Sequence, residues 1–141
     1  MTRYLLDSDI TIDYEGGVPS TRAIVEPLLA EGIGVSVITF MEVYQGLLRL
    51  PDPDAATAGL RRFLDDVDVL PVTHEIAQRC AVIRADLHRR GRAVRSRALD
   101  LLIAATAIEH GLVLVTRNVA DYHDVTDLRR LTPPAGDAAE I

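Results

Sequence analysis

Four short, mainly apolar runs punctuate the chain: "YLL" within residues 3–7, "IGVSVI" (33–38), "VDVLPV" (67–72) and "LVLVT" (112–116). Their side chains are apolar without a polar alternate face, and β-branched residues dominate. Runs of that kind are strands buried on both sides, and such strands occur in parallel sheets covered by helices. The stretches between them carry helix signals. Residues 9–15 read as a helical turn ended by Gly16-Gly17, and 19–32 as a helix with Ser20 near its start and Gly32 just past its end. Further helices are expected over 40–49, 54–66, 74–91 (stopped by Gly91) and 98–111 (closed by Gly111), with Pro51 and Pro53 marking a turn. A short fifth strand is expected near 127–131. Strands alternating with helices give an α/β fold with a parallel sheet covered on each face. No internal repeat or linker divides the chain, so the expectation is one domain over 1–132 and a flexible tail over 133–141.

Composition narrows the class. With 141 residues, 48% of them hydrophobic, the chain can bury a real core. No apolar run approaches the roughly 20 residues that span a bilayer, and the N-terminus has no basic segment leading an apolar one. A single cysteine, Cys80, permits no internal disulfide. Both features point to a cytoplasmic protein without a membrane partner. The formal net charge of -6 argues against a uniformly phosphate-binding surface. Distribution matters more: all 15 basic residues are arginine, and six of them (Arg84, Arg89, Arg90, Arg92, Arg95, Arg97) fall within "RADLHRRGRAVRSR". A local basic face on an acidic protein is either a phosphate-tracking surface, with Arg92, Arg95 and Arg97 as its candidates, or a solvated helix end and loop.

The acids are the chemically informative residues. In open parallel sheets, sites form outside the carboxyl ends of the strands. Asp7 closes the first strand, and Glu42 follows the second by four residues in the expected first turn of its helix. Asp100 opens the alanine-rich helix, and Asn118 and Asp121 follow the fourth strand in "VTRNVADY". Each has a plain structural reading. Thr39-Phe40-Met41-Glu42 is a capping-box pattern; Asp100 suits a helix N-terminus; Asn118 and Asp121 suit a turn; Asp7 and Asp9 suit a helix cap. Capping alone does not require all of them to gather at one sheet edge. Converging carboxylates repel and call for a cation, and an all-oxygen set suits Mg²⁺ or Mn²⁺. The four histidines and one cysteine have no zinc spacing, and no Gly-rich phosphate loop is present.

On the stretches "LLDSDI", "VSVITFMEVYQGL" and "ALDLLIAATAIEHGLVLVTRNVADY", in that order, the chain resembles the PIN-domain ribonucleases, specifically the small VapC-type toxins of bacterial toxin–antitoxin pairs. The resemblance covers about residues 4–131. It implies a PIN-like three-layer α/β/α sandwich around a mostly parallel five-stranded sheet, Mg²⁺- or Mn²⁺-dependent hydrolysis of RNA by activated water, a homodimer, and inhibition by a cognate antitoxin. Carried over by position, the catalytic and metal-binding acids are Asp7, Glu42, Asp100 and Asp121, supported by Ser8, Asp9, Thr116 and Asn118. The first motif often reads Asp-Thr-Asn in the family, where this chain has Asp7-Ser8-Asp9; some members carry an acid at the position of Asn118.

Two other readings compete. "YLLDSDIT" also matches the Asp-x-Asp-x-Thr opening of haloacid-dehalogenase-like phosphatases, in which Asp7 would be a phosphoryl-accepting nucleophile. Those enzymes need a later cation, normally lysine, and this chain has none. The remaining alternative is a catalytically silent PIN-like interaction module.

Overall fold

A computed structural model describes residues 1–134. Five parallel strands lie in the order β3-β2-β1-β4-β5: β1 (Tyr4–Leu6), β2 (Ile33–Ser36), β3 (Asp68–Leu70), β4 (Val113–Val115) and β5 (Arg130–Leu131). Six α-helices connect and cover them: α1 (Ser8–Glu15), α2 (Pro19–Leu29), α3 (Val37–Leu47), α4 (Pro53–Leu64), α5 (His74–Arg89) and α6 (Ala98–Glu109). The expected α/β/α sandwich is therefore the fold. The flexible tail expected over 133–141 lies, from residue 135 onward, outside the described residues.

Both faces of the central strands are dry, as their apolar runs require. Leu5 and Leu114 pack into a cluster with Ile76, Leu87 and Leu101, on the side of α5 and α6. Their neighbours Leu6 and Val115 point the other way, into a cluster with Ile10 and Val25 from α1 and α2. Successive strand residues alternate between faces, so two adjacent apolar residues in β1 and β4 hold two helical layers. Gly32 sets the entry to β2. Its φ of +94° and the 1.9 Å that would separate an added Cβ from the Met1 carbonyl oxygen admit no side chain there.

One element differs from expectation in a way that bears on function. The strand expected over 33–38 ends at Ser36, whose Oγ accepts from the Ile38 N–H at 3.0 Å and starts α3 at Val37. A side-chain cap and helical packing override the β-preference of Val37 and Ile38. The capping box expected at Thr39–Glu42 is thus absent: Thr39 is buried inside α3, and Glu42 sits in its middle.

The connections run from β1 to β2 to β3 on one side, then cross back to β4 and β5 on the other. The order reverses between β1 and β4, and the carboxyl ends of the strands at such a reversal are where open α/β sheets build their sites.

Candidate active site

Asp7 stands at that reversal. Its backbone N–H extends the ladder to the Val115 carbonyl at 3.0 Å. Its carboxylate accepts from the Ser8 N–H at 2.8 Å and from the Thr116 hydroxyl at 2.8 Å. Because Thr116 Oγ1 already accepts from the Asn118 N–H at 3.0 Å, its own proton is directed at Asp7. Asp7 is also the N-cap of α1, so the capping reading is correct as far as it goes. Yet the residue is 4% exposed and no arginine among the described residues forms an ion pair with it. Burial pushes its carboxyl up to about 6, with Asp9 adding repulsion, against the partial relief of Thr116 and Ser8.

The other acids gather around it. Glu42, from the middle of α3, accepts from Ser8 Oγ at 2.6 Å, so the residue following Asp7 ties the second acid to the first. Asp100, in the first turn of α6, is raised to about 6 by partial burial and then by the charges of Asp121, Asp7 and Glu42. Asp121, in a short 3-10 turn after β4 (Val119–Asp121), receives the side-chain amide of Asn118. Four acids from four segments are within electrostatic reach of one another, with Ser8, Thr116 and Asn118 orienting three of them.

Asp9 does not join the cluster. It accepts from the Ile10 N–H at 2.8 Å and the Arg117 N–H at 3.0 Å, a brace between α1 and the loop after β4. Arg117 completes that brace through Asp13 at 2.6 Å and Thr21 at 2.9 Å. An Asp-x-Asp phosphatase site, which needs both aspartates facing the substrate, is disfavoured by this placement.

Arg97 requires a correction. The arginine-rich segment suggested an RNA contact, but the Arg97 side chain is 12% exposed, with its guanidinium on Asp124 at 2.6 and 2.9 Å. Arg92 and Arg95 remain exposed. Three residues near the acids escaped the sequence reading. Tyr122 is fully buried, its hydroxyl 3.5 Å from Asp100 Oδ1, and burial beside Asp7 and Asp100 raises its pKa strongly. Asp124 is buried and held below the ordinary carboxylate range by Arg97. Arg117 is the third. Only Tyr122 carried a signal, since a tyrosine beside an acid in a strand-end loop is a hydroxyl in search of a partner.

The donor set was tested against a divalent cation on its chemistry. Carboxylate and hydroxyl oxygens without thiolate or imidazole match a hard ion such as Mg²⁺ or Mn²⁺. Among the described residues no three His, Cys, Asp or Glu side chains are arranged to grip an ion as they stand. The raised Asp7 and Asp100 nevertheless mark uncompensated negative charge, and Mg²⁺ takes one or two carboxylates while keeping several waters. The residues fit.

A family profile for the PIN domain matches residues 4–126. The tRNA(fMet)-specific endonuclease VapC of Shigella flexneri is 30% identical over 129 residues, covering 92% of this chain and 96% of that protein. Ribonuclease VapC2 of Haemophilus influenzae matches with the same identity and coverage. The crystal structure of DNA-bound VapBC from Salmonella typhimurium superposes with a TM-score of 0.82 at 26% identity, over 94% of this chain and 98% of that one. No helix among the described residues is long and apolar enough to cross a membrane.

Proposed function

Because the chain belongs to the PIN-domain family, we propose that it is a VapC-type endoribonuclease, the toxin of a toxin–antitoxin pair, hydrolysing RNA phosphodiester bonds with Mg²⁺ or Mn²⁺. The observation that carries the proposal is the state of Asp100: its carboxyl is raised to about 6, in part by the charges of Asp7, Glu42 and Asp121. Acids so placed work against one another unless a cation joins them. The names of the similar proteins support the ribonuclease reading, and the VapBC complex supports a cognate antitoxin as partner. The family resemblance adds a homodimer.

A divalent cation bound here supplies Lewis acidity toward a phosphoryl oxygen and lowers the pKa of a water molecule. Asp7 and Asp100, with Glu42 and Asp121 beside them, would hold it. Thr116 and Ser8 fix the Asp7 carboxylate through two hydrogen bonds, so it presents the same oxygen geometry at each turnover. Ser8 holds Glu42 in reach through its hydroxyl. No residue of the chain needs to form a covalent intermediate.

The test is cleavage of single-stranded RNA by the purified protein with Mg²⁺, Mn²⁺ or EDTA, alongside Asp100→Asn. Metal-dependent cleavage lost in the variant is expected. Wild-type cleavage in Asp100→Asn, or equal cleavage in EDTA, overturns the assignment. Phosphate release from small esters with a trapped aspartyl-phosphate on Asp7 would turn the reading toward a phosphatase.

A further inference from the structure

Asp121 is carried on a short turn, which on its own gives a site acid little rigidity. Two groups hold it. Asn118 donates to its carboxylate, and Arg97 Nη2 donates to its backbone carbonyl at 2.7 Å. The same guanidinium grips Asp124 with both Nη atoms, at 2.6 and 2.9 Å. Asp124 is in turn tied to α5, since Arg90 Nη2 donates to its backbone carbonyl at 2.9 Å. Arg97 immediately precedes α6, three residues before Asp100. One side chain therefore links the segment carrying Asp100 to the turn carrying Asp121.

We propose that Arg97, anchored by Asp124, is a positioning residue that sets the distance between Asp100 and Asp121 and thereby the metal affinity of the site. The inference rests on the reading of Asp121 as a site acid. Three features favour positioning over simple stabilisation. A buried ion pair contributes little net stability, because desolvation offsets its attraction. Arg97 Nε is buried without a partner, a cost that a purely stabilising pair has no reason to carry. The guanidinium fork makes the Asp121 bond and the Asp124 pair at once, which a lysine cannot reproduce. The charges of Asp121 and Asp100 also act on Arg97, so the cation lies beside the cluster that it braces.

The experiment measures Mn²⁺ affinity by calorimetry, RNA affinity in EDTA, and Mn²⁺-dependent cleavage in Arg97→Lys, Asp124→Asn, Asp121→Asn and the reciprocal Arg97→Asp/Asp124→Arg. Arg79→Gln, which breaks an exposed pair with Glu109, is the control. Arg97→Lys is expected to weaken Mn²⁺ binding and slow cleavage about tenfold or more, the range for loss of a group that orients a metal ligand, with RNA affinity in EDTA unchanged. The reciprocal pair restores the charge match but not the bond to the Asp121 carbonyl, so it should recover melting temperature without recovering Mn²⁺ affinity. Arg79→Gln should match wild type. Wild-type Mn²⁺ affinity in folded Arg97→Lys, or its recovery in the reciprocal pair, overturns the proposal; if Arg97→Lys does not fold, wild-type affinity in Asp124→Asn does so. Loss of RNA affinity alone would overturn it in favour of a direct RNA contact. If Asp121→Asn binds Mn²⁺ and cleaves as wild type, the site reading of Asp121 fails and the clamp with it. If Asp121→Asn is impaired while Arg97→Lys is not, the clamp alone fails.

Discussion

Asp7 and Asp124 are equally hidden, 4% and 6% exposed, yet their carboxyls move in opposite directions. Asp124 meets a guanidinium in bidentate contact and falls below the ordinary range. Asp7 meets hydroxyls and a backbone N–H but no guanidinium among the described residues, and rises to about 6. The fold has completed one pair and left the other short of a positive charge. Around Asp124 the electrostatics are those of architecture. Around Asp7 the deficit is what a diffusible cation would remove, and the deficit, more than the mere presence of acids, is what the proposed metal site rests on.

The comparison breaks most sharply under substitution. Asp7→Asn should abolish RNA cleavage while leaving the metal-free protein as stable as wild type or more so, because it removes an uncompensated buried charge. Asp124→Asn should do the reverse to stability, lowering it by about 3 kcal/mol as a buried guanidinium loses its partner. Cleavage assays paired with urea denaturation in EDTA measure both. Equal destabilisation by the two variants would erase the distinction.

Acid sharpens it next. The folded pKa of Asp7, about 6, lies above its ordinary 3.8, so the native state binds more protons between those values. Metal-free stability should therefore rise as pH falls from 7 through 6 toward 4, with Asp7 contributing at most about 3 kcal/mol at 1.36 kcal/mol per unit. Asp124 has the opposite sign: its folded pKa is depressed, so its contribution is present at neutral pH and is lost as pH falls below about 4. Thermal melts across pH in EDTA should show a gain and then a loss. Asp7→Asn should reduce the gain to the part that Asp100, also raised to about 6, supplies, and saturating Mg²⁺ should suppress it. A monotonic fall from pH 7 downward would contradict the burial of an unpaired Asp7.

The sequence carried the Asp7 side of this comparison and not the Asp124 side, for physical reasons. A parallel sheet of strands alternating with helices follows from apolar runs and helix signals, and the carboxyl ends of its strands then bring Asp7, Glu42, Asp100 and Asp121 toward one edge. Periodicity holds no information about which arginine turns inward. In "RADLHRRGRAVRSR" six identical side chains compete, and the choice of Arg97 is made by the path of the chain around α6, a long-range property. The capping box at Thr39–Glu42 misled for a local reason: Ser36 captures the Ile38 N–H and starts the helix three residues earlier than Thr39 would. For Tyr122 the sequence shows a tyrosine next to an acid; its full burial beside Asp7 and Asp100 is a property of the fold.

Glu42 offers a finer cut, since it belongs to the uncompensated side without being deeply buried. If it were only a cap, Glu42→Gln would be silent, because glutamine also serves that role; its place inside α3, bonded by Ser8, removes that role. Glu42→Gln should keep the fold, lose most cleavage, and match or slightly exceed wild-type stability without metal, as one charge raising Asp100 disappears. Cleavage at the wild-type rate would remove Glu42 from the site.

The smallest effect concerns the exposed arginines of the basic segment. Arg92 and Arg95 are exposed, whereas Arg97 is committed to Asp124. Exposed guanidiniums that meet nucleic-acid phosphates act by releasing counterions, about 0.7 in the log–log salt slope for each single-strand phosphate neutralised. Replacing both by glutamine should therefore weaken RNA binding in EDTA and reduce the slope by roughly 1.4 if both reach the backbone. Neither change touches the acids, so the rate at saturating RNA should hold. Arg97→Lys retains a charge that does not reach RNA and should leave the slope unaltered. Titrations at several salt concentrations separate the two groups of arginines. An unchanged slope in the double variant would make Arg92 and Arg95 solvated loop residues, and a reduced slope in Arg97→Lys would return Arg97 to the RNA surface.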